Sequence, residues 1–199
     1  MSKGLLLSIS GPSGVGKGTV IAAVREKLPE IGHSISVTSR PKRGAEQEGV
    51  EYFFRTKDEF LRMAEEGEIL EYDEYVGNFY GTPLTPLMKM TSEGKDVLLD
   101  LTVAGSMALK DKYDEAVTIF LLPPTLDALR TRLTGRGTES VELIEKRLSE
   151  AKGEIAKANR FDYVVVNDVV EETAASIIAI LRAEHLRYSR NTSLLEQYQ

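Results

Sequence analysis

A glycine-rich segment near the N-terminus constrains the fold of this chain more than any other feature. Residues Gly11 to Lys17, GPSGVGK, directly follow the apolar run Leu5 to Ile9 and directly precede a stretch whose apolar residues have helical spacing. A strand, a glycine-rich loop and a helix in this order form a nucleotide phosphate loop, because the glycines let backbone amides approach the phosphates and the lysine offsets their charge. The alternative, a glycine turn beside a surface lysine, leaves the flanking strand and helix unexplained.

The residue after Lys17 bears on how a metal ion would bind. Phosphate loops usually place a magnesium-binding Ser or Thr there, whereas this chain has Gly18 and brings a hydroxyl one position later, at Thr19. We therefore expect Mg²⁺ to be held through water or by another side chain, and Asp100 is the candidate. It ends the apolar run Val97 to Leu99, and the carboxyl end of a central parallel strand lies beside the phosphate loop. The alternative role for Asp100 is the N-cap of the following helix.

Apolar runs recur along the chain between segments of helical periodicity. The further runs are Val97 to Leu99, Val117 to Leu122 and Tyr163 to Val166, and the helical segments include Thr19 to Leu28 and Val170 to Leu186. Short continuous apolar runs suit strands that are covered on both faces. The pattern predicts an α/β fold in which helices flank a central parallel sheet.

Residues from about 36 to 90 differ from this core, because they are rich in charged and aromatic side chains and contain only short apolar runs. They predict a small mixed α/β subdomain, in which Thr56 followed by Glu59 forms a capping box that begins a helix. A second irregular piece, Gly135 to Ser140, predicts a mobile loop or lid. We expect the polar tail, residues 189–199, to be poorly ordered.

The composition argues against several classes of function. The formal net charge of −6 and the pI of about 5.2 disfavour a surface that binds nucleic acid or an anionic membrane. Cysteine is absent and the only histidines are His33 and His185, so a zinc enzyme is disfavoured too. The first apolar run is too short for a signal peptide and no long apolar stretch follows it, so we expect a cytoplasmic protein.

Two arginines in the inserted segment predict a second phosphate site. Arg40 and Arg43 flank a loop that Pro41 stiffens, so two guanidinium groups can meet one phosphate at little entropic cost. Tyr52 and Tyr80 can each donate a phenolic hydroxyl to the same phosphate. Alone, these residues would indicate a solvated basic turn with two packing tyrosines, but the neighbouring phosphate loop favours a binding site.

Several spaced motifs together resemble the guanylate kinase family from near the N-terminus to about Ala183. They are the phosphate loop, SVTSRPKRG at residues 36–44, GVEYFF at 49–54, Glu71, GNFYGT at 77–82 and RLTGRGT at 132–138. The resemblance implies one domain over residues 1–199, with a nucleoside monophosphate kinase core (1–35 and 91–188), a GMP-binding subdomain (about 36–90) and a lid (about 134–149). It implies transfer of the γ-phosphoryl group of ATP to GMP or dGMP, with Mg²⁺ as cofactor.

The resemblance also assigns residues to the two substrates. It implies that GMP is bound by Ser36, Arg40, Arg43, Tyr52, Glu71, Tyr80, Thr82 and Thr102. It implies that ATP is bound by Gly11, Pro12, Ser13, Gly14, Val15, Gly16, Lys17, Gly18, Thr19 and Asn167. The residues implied in catalysis are Lys17, Arg40, Asp100, Arg132, Arg136 and Arg147.

The chemistry of these assignments is consistent with the reaction. A carboxylate at Glu71 can accept hydrogen bonds from two adjacent donors of guanine, and adenine lacks that pair. Lysine and arginine side chains can neutralise charge on a phosphoryl group that passes through a loose transition state. At Thr102 the family usually has a second acidic residue that also helps to hold the base, so this chain departs from the family pattern there.

Two other functions are compatible with the same residues. One is a kinase of this architecture that acts on another phosphorylated acceptor such as ribose bisphosphate. The missing acidic residue at Thr102 favours it, whereas the retained Ser36, Glu71, Tyr80 and Thr82 favour a nucleotide acceptor. The other is a non-catalytic guanylate-kinase-like module that binds phosphoproteins, which the intact Lys17 disfavours. We expect small-molecule substrates and a monomer or homodimer.

Overall fold

The computed structural model describes residues 3–75, 77–134, 141–196 and 198 of the chain. The strands of its central sheet, in spatial order, are β2 (Gly32–His33), β7 (Val97–Asp100), β1 (Leu6–Ser10), β8 (Val117–Leu122) and β9 (Tyr163–Val166). Every pairing in this sheet is parallel. The helices are α1 (Lys17–Lys27), α2 (Lys57–Glu65), α3 (Leu84–Ser92), α4 (Val103–Lys112), α5 (Leu126–Thr134), α6 (Val141–Ile155), α7 (Val170–His185) and α8 (Ser193–Glu196).

Helices cover both faces of the central sheet, which explains why its strands are continuous apolar runs. Leu7 and Ile9 of β1 pack in one cluster with residues of α1 and α7. Leu6 points to the opposite face, where it packs with residues of α3 and α4. The predicted α/β fold with a flanked parallel sheet is confirmed, although the short strand β2 was not predicted.

A second, mixed sheet lies within the inserted segment. Its strands in spatial order are β4 (Phe53–Phe54), β3 (Val37–Thr38), β6 (Asn78–Pro83) and β5 (Ile69–Tyr75). The predicted capping box begins α2, since the Glu59 amide donates to Thr56 Oγ1 at 3.2 Å and the Thr56 amide donates to Glu59 Oε2 at 2.7 Å. Phe60 of α2 is fully buried against one face of the sheet, so the other face is left for polar side chains.

Helices α5 and α6 flank the segment that was predicted to form a lid. They pack against each other through Leu129, Leu133 and Leu148. The intervening residues 135–140, which include Arg136, lie outside the described residues. Across the described part of the chain, no helix combines the length and apolar character needed to cross a membrane.

The described part of the C-terminal tail contains short helical segments. A short 3₁₀ turn at Tyr188–Arg190 is followed by α8. The start of the tail bonds to neighbouring segments: the Arg190 side chain donates to the Lys3 carbonyl, and Asn191 Nδ2 donates to the carbonyls of His185 and Arg187 at 2.7 and 2.9 Å.

Candidate active site

The loop between β1 and α1 has the backbone geometry of a phosphate loop. Gly14 and Gly16 adopt φ angles of 86° and 100°, which favour glycine, and Gly16 is the residue before the first turn of α1. A Cβ atom at Gly16 would also lie 2.7 Å from Asn167 Nδ2. Glycine therefore allows both the turn and a close approach to the end of β9, and the amides that begin α1 are left facing a common point suited to an anion.

Lys17 and Asp100 meet at the carboxyl ends of neighbouring strands. Lys17 Nζ donates to the Gly11 carbonyl at 3.0 Å, which folds the side chain back over the loop. Asp100 follows Leu98 by two residues and so lies on the α1 side of the sheet, the side of Lys17. Desolvation raises the pKa of the Asp100 carboxyl, and the charge of Lys17 opposes this shift. The alternative role for Asp100 is wrong, because Thr102 caps α4.

Arg132 and Asn167 are both brought to the phosphate loop. Asn167 Nδ2 donates to the Val15 carbonyl at 2.7 Å, and Thr173 Oγ1 donates to Asn167 Oδ1 at 3.1 Å. The guanidinium group of Arg132 donates to the carbonyls of Val15 at 3.1 Å and Asn167 at 2.9 Å. These bonds hold the phosphate loop in position through its Val15 carbonyl. Arg132 has further N–H groups that can donate to a ligand.

The surroundings of Lys17 fit a magnesium ion that is shared with nucleotide phosphates. Among the described residues, no cluster of three or more acidic or histidine side chains could hold a metal by itself. Mg²⁺ in kinases is commonly held by one or two carboxylates together with substrate phosphates and water, so this arrangement is the expected one. Asp100 and the exposed Thr19 are the side chains placed to take part.

Arg40 lies at the centre of the second basic cluster. Its Nη2 donates to Glu46 Oε1 at 2.7 Å, and its guanidinium carbon lies 5.5 Å from the centre of the Tyr52 ring. Interaction with Glu46, and to a smaller extent with Tyr80, raises the pKa of Arg40, and the rings of Tyr52 and Tyr80 are in edge contact. Arg43 is exposed, and its amide donates to Glu46 Oε2 at 2.8 Å. The four predicted phosphate ligands are thus gathered on one side of the mixed sheet.

Glu71 and Thr82 form a polar pair across the mixed sheet. Thr82 Oγ1 donates to Glu71 Oε1 at 2.8 Å. The β3 and β6 pairing, Val37 with Gly81, places Ser36 opposite Thr82 when the register is continued. Burial raises the pKa of the Glu71 carboxyl, and the hydrogen bond from Thr82 opposes this shift. The three residues predicted for the base therefore lie side by side on neighbouring strands.

A cleft of about 720 Å³ lies between the mixed sheet and the helices α4 and α6. Glu71 lines it on the side of the mixed sheet, and Thr102 and Gly105 line it on the side of α4. Glu154 of α6 also lines the cleft; burial raises the pKa of its carboxyl, and the charge of Lys17 in the phosphate loop opposes this shift. The cleft therefore extends from Glu71 to the helices α4 and α6.

The comparisons with known proteins agree with this geometry. A guanylate kinase family profile matches residues 3–184. The chain belongs to the guanylate kinase family. It is 49% identical to the guanylate kinase of Lactococcus lactis, over 98% of this chain and 94% of that protein. It is 46% identical to the guanylate kinase of Halalkalibacterium halodurans, over 98% and 95%. The crystal structure of guanylate kinase from Anaplasma phagocytophilum covers 98% of this chain, which covers 95% of it, with 38% identity and a TM-score of 0.75.

Membership of the guanylate kinase family confirms two predictions made from the motifs. The nucleoside monophosphate kinase fold is confirmed, because the central parallel sheet and the mixed sheet occur in a chain that matches a guanylate kinase structure over nearly its whole length. The enzyme class, a guanylate kinase, is confirmed by the family match and the relatives. The roles of individual residues stay predictions.

Two carboxylates of this guanylate kinase were missed from the sequence. Glu46 holds Arg40 and the Arg43 amide together, and the hydrogen bond from Arg40 is the main cause of the lowered pKa of Glu46. An acidic residue three positions after Arg43 was the available signal. Glu154 of α6 is the second: burial raises its pKa, and the charge of Lys17 in the phosphate loop opposes this shift. No local pattern connects Glu154 with that loop.

Of two further arginines predicted for catalysis, the structure describes Arg147 but not Arg136. Arg147 lies on α6 with its side chain partly buried. Arg136 lies outside the described residues, so its position relative to the phosphate loop is a prediction from the sequence alone.

Proposed function

We propose that this guanylate kinase transfers the γ-phosphoryl group of ATP to GMP across the cleft between the phosphate loop and the mixed sheet. The observation that carries the proposal is that Glu71 and Glu154 line the same cleft, while the charge of Lys17 in the phosphate loop acts on Glu154. A donor on the loop and an acceptor beside Glu71 would then approach each other as a direct transfer requires.

The donor half consists of backbone amides and Lys17. The turn at Gly14 and Gly16 directs amides of the loop to the nucleotide phosphates, and the helix α1 adds a favourable dipole. Lys17 would exchange its bond to the Gly11 carbonyl for bonds to phosphate oxygens. Asp100, with Thr19 or through water, would hold Mg²⁺, which supplies charge neutralisation on the phosphates when it is bound.

The acceptor phosphate belongs to the cluster around Arg40. Arg40 and Arg43 supply guanidinium groups, and Tyr52 and Tyr80 supply hydroxyls, so a phosphate bound there would be met from several directions. Glu46 keeps Arg40 in place while only part of its guanidinium is engaged. The arrangement binds a monophosphate ester more readily than a neutral acceptor.

The base of the acceptor belongs beside Glu71. An ionised Glu71 can accept from the ring N–H and the exocyclic amine of guanine, while Thr82 and Ser36 add hydroxyl groups. Adenine would leave the desolvated carboxylate without its partners, a mismatch that can cost about four orders of magnitude in specificity. GMP and dGMP share this base, so both should be substrates.

The transfer itself depends on charge neutralisation. Lys17 would meet the donor phosphates and Arg40 the acceptor phosphate, and Arg132 of α5 and Arg147 of α6 would add positive charge. Arg136 is proposed from the sequence as a further member of this set. Together these groups would stabilise the charge spread over the migrating phosphoryl group.

A coupled assay of ADP formation from ATP tests the proposal directly. The acceptors are GMP, dGMP, AMP, UMP and ribose bisphosphate, each with and without Mg²⁺. We expect Mg²⁺-dependent turnover with GMP and dGMP and at least about a hundredfold lower kcat/KM with AMP. Preference for ribose bisphosphate, or turnover with none of the five, would contradict the proposal.

A further inference from the structure

Gly105 of α4 lies directly against the carboxyl group of Glu71. A Cβ atom built at Gly105 would lie 2.8 Å from Glu71 Cγ, 2.9 Å from Glu71 Oε2 and 3.0 Å from Glu71 Cδ. Carbon atoms that are not bonded to each other do not approach so closely without one of them moving. The space that Glu71 occupies therefore exists only because position 105 has no side chain.

The backbone at Gly105 does not itself require glycine. The residue lies in the first turn of α4, and its amide donates to Thr102 Oγ1 at 3.0 Å in an ordinary N-cap. Glycine is among the least favourable residues within a helix, so its presence there needs another explanation. The close approach of Glu71 supplies that explanation.

Glu71 is held from two sides. Thr82 Oγ1 on β6 donates to Oε1, while Oε2 and the side-chain stem lie on the surface of Gly105. A carboxylate must present its oxygens in one plane to accept two adjacent donors from a base. Contact with Gly105 restricts the rotation that would turn that plane away.

We propose that Gly105 is a positioning residue for guanine recognition, since it leaves the space in which Glu71 keeps its bond to Thr82 and faces the acceptor base. The inference rests on the proposed assignment of Glu71 to guanine. A methyl group at position 105 would displace the end of a flexible side chain rather than backbone, so Glu71 would rotate while α4 keeps its course.

The test is Gly105→Ala with steady-state kinetics for both substrates. We expect KM for GMP to rise about tenfold, the loss of one bond to a charged group, while KM for ATP stays within about twofold. The preference for GMP over AMP should fall in parallel. The control is Gly153→Ala on α6, where an added Cβ has open space, and this variant should keep both KM values.

Thermal unfolding separates positioning from general damage. If contact between the new methyl group and Glu71 lowers the melting temperature of Gly105→Ala, adding Glu71→Ala should restore it, because the atoms that the methyl group meets are removed. The inference is overturned if Gly105→Ala keeps the wild-type KM for GMP and the wild-type preference over AMP. It is also overturned if KM for ATP and KM for GMP rise equally. Failure of the wild-type protein to phosphorylate GMP would instead overturn the proposed function.

Discussion

The donor half and the acceptor half of this site are held together in different ways. Around the phosphate loop, Asn167 and Arg132 bond to the backbone carbonyl of Val15. Around the acceptor, the bonds run between side chains, from Arg40 to Glu46 and from Thr82 to Glu71. Backbone groups keep their position when a side chain changes, so the donor half should tolerate most nearby substitutions, whereas the acceptor half should respond to single changes.

The largest expected effect comes from removing the Lys17 side chain in the donor half. Lys17→Ala should lower kcat by about a hundredfold or more, because the variant loses the cation that meets the terminal phosphates. Its melting temperature should stay near that of the wild type, since the Lys17 side chain bonds only to the Gly11 carbonyl among the described partners. Lys27→Ala, at the exposed end of the same helix, is the control. More than about a tenth of wild-type turnover in Lys17→Ala would contradict the assigned role.

The next effect concerns the acceptor phosphate. Arg43→Ala should weaken GMP binding by about ten- to a hundredfold, the loss of one charge-assisted contact, and should leave ADP binding unchanged. Arg43 is exposed and its amide bond to Glu46 is retained in the variant, so the loop should keep its shape. Calorimetric titrations with GMP and ADP measure both affinities, and Arg62→Ala on α2 is an exposed control. Equal losses for the two nucleotides would count against two separate phosphate sites.

Low pH should weaken the contact between Glu71 and the guanine base. Burial raises the pKa of Glu71, so its carboxylate becomes protonated at a higher pH than that of an ordinary glutamate. GMP affinity should fall about tenfold per pH unit below that pKa, and Glu71→Gln should abolish this dependence. The stability contribution of Glu71 has the opposite sign: it is fully present below the unfolded-state pKa and is lost as pH rises through the raised folded-state pKa. An acid limb at the pKa of a free glutamate would contradict the role given to burial.

The smallest expected effect is a change in base selectivity on substitution of Thr102. Thr102→Asp should raise the ratio of kcat/KM for GMP to that for IMP by up to about tenfold, because IMP lacks the exocyclic amine that an added carboxylate could accept from. Aspartate is a good N-cap, so α4 should keep its first turn. Thr102→Asn keeps the cap without the charge and serves as the control. An unchanged ratio would mean that this side chain does not face the base.

The same contrast explains what the sequence could predict. The phosphate loop and the strands β1, β8 and β9 are visible as local patterns, since each consists of consecutive residues that one environment selects. The strand β2 has only the two residues Gly32 and His33, which carry no apolar pattern. The sequence offered Asp100 as a possible N-cap of α4, whereas the cap is Thr102. Asp and Thr are both common N-cap residues, and these two lie only two positions apart.

Contacts between distant parts of the chain were harder to predict. The approach of Gly105 to Glu71 depends on how α4 packs on β5, and the influence of Lys17 on Glu154 depends on the course of α6. The residue pattern within α4 or α6 does not predict either of these contacts. The candidate ligands of GMP were found because they match several family motifs, and their grouping on the mixed sheet follows from strand register that residue types alone do not show.

The donor half and the acceptor half should bind different nucleotides independently. Paired calorimetric titrations of Lys17→Ala and Glu71→Gln test this most directly. With Lys17→Ala, ADP affinity should fall at least about tenfold while GMP affinity stays within about twofold of wild type. With Glu71→Gln, GMP affinity should fall by at least the same factor while ADP affinity is kept. If both variants lose both nucleotides to the same extent, the phosphate loop and the Glu71 pair would belong to one shared site, and the account given for this guanylate kinase would be wrong.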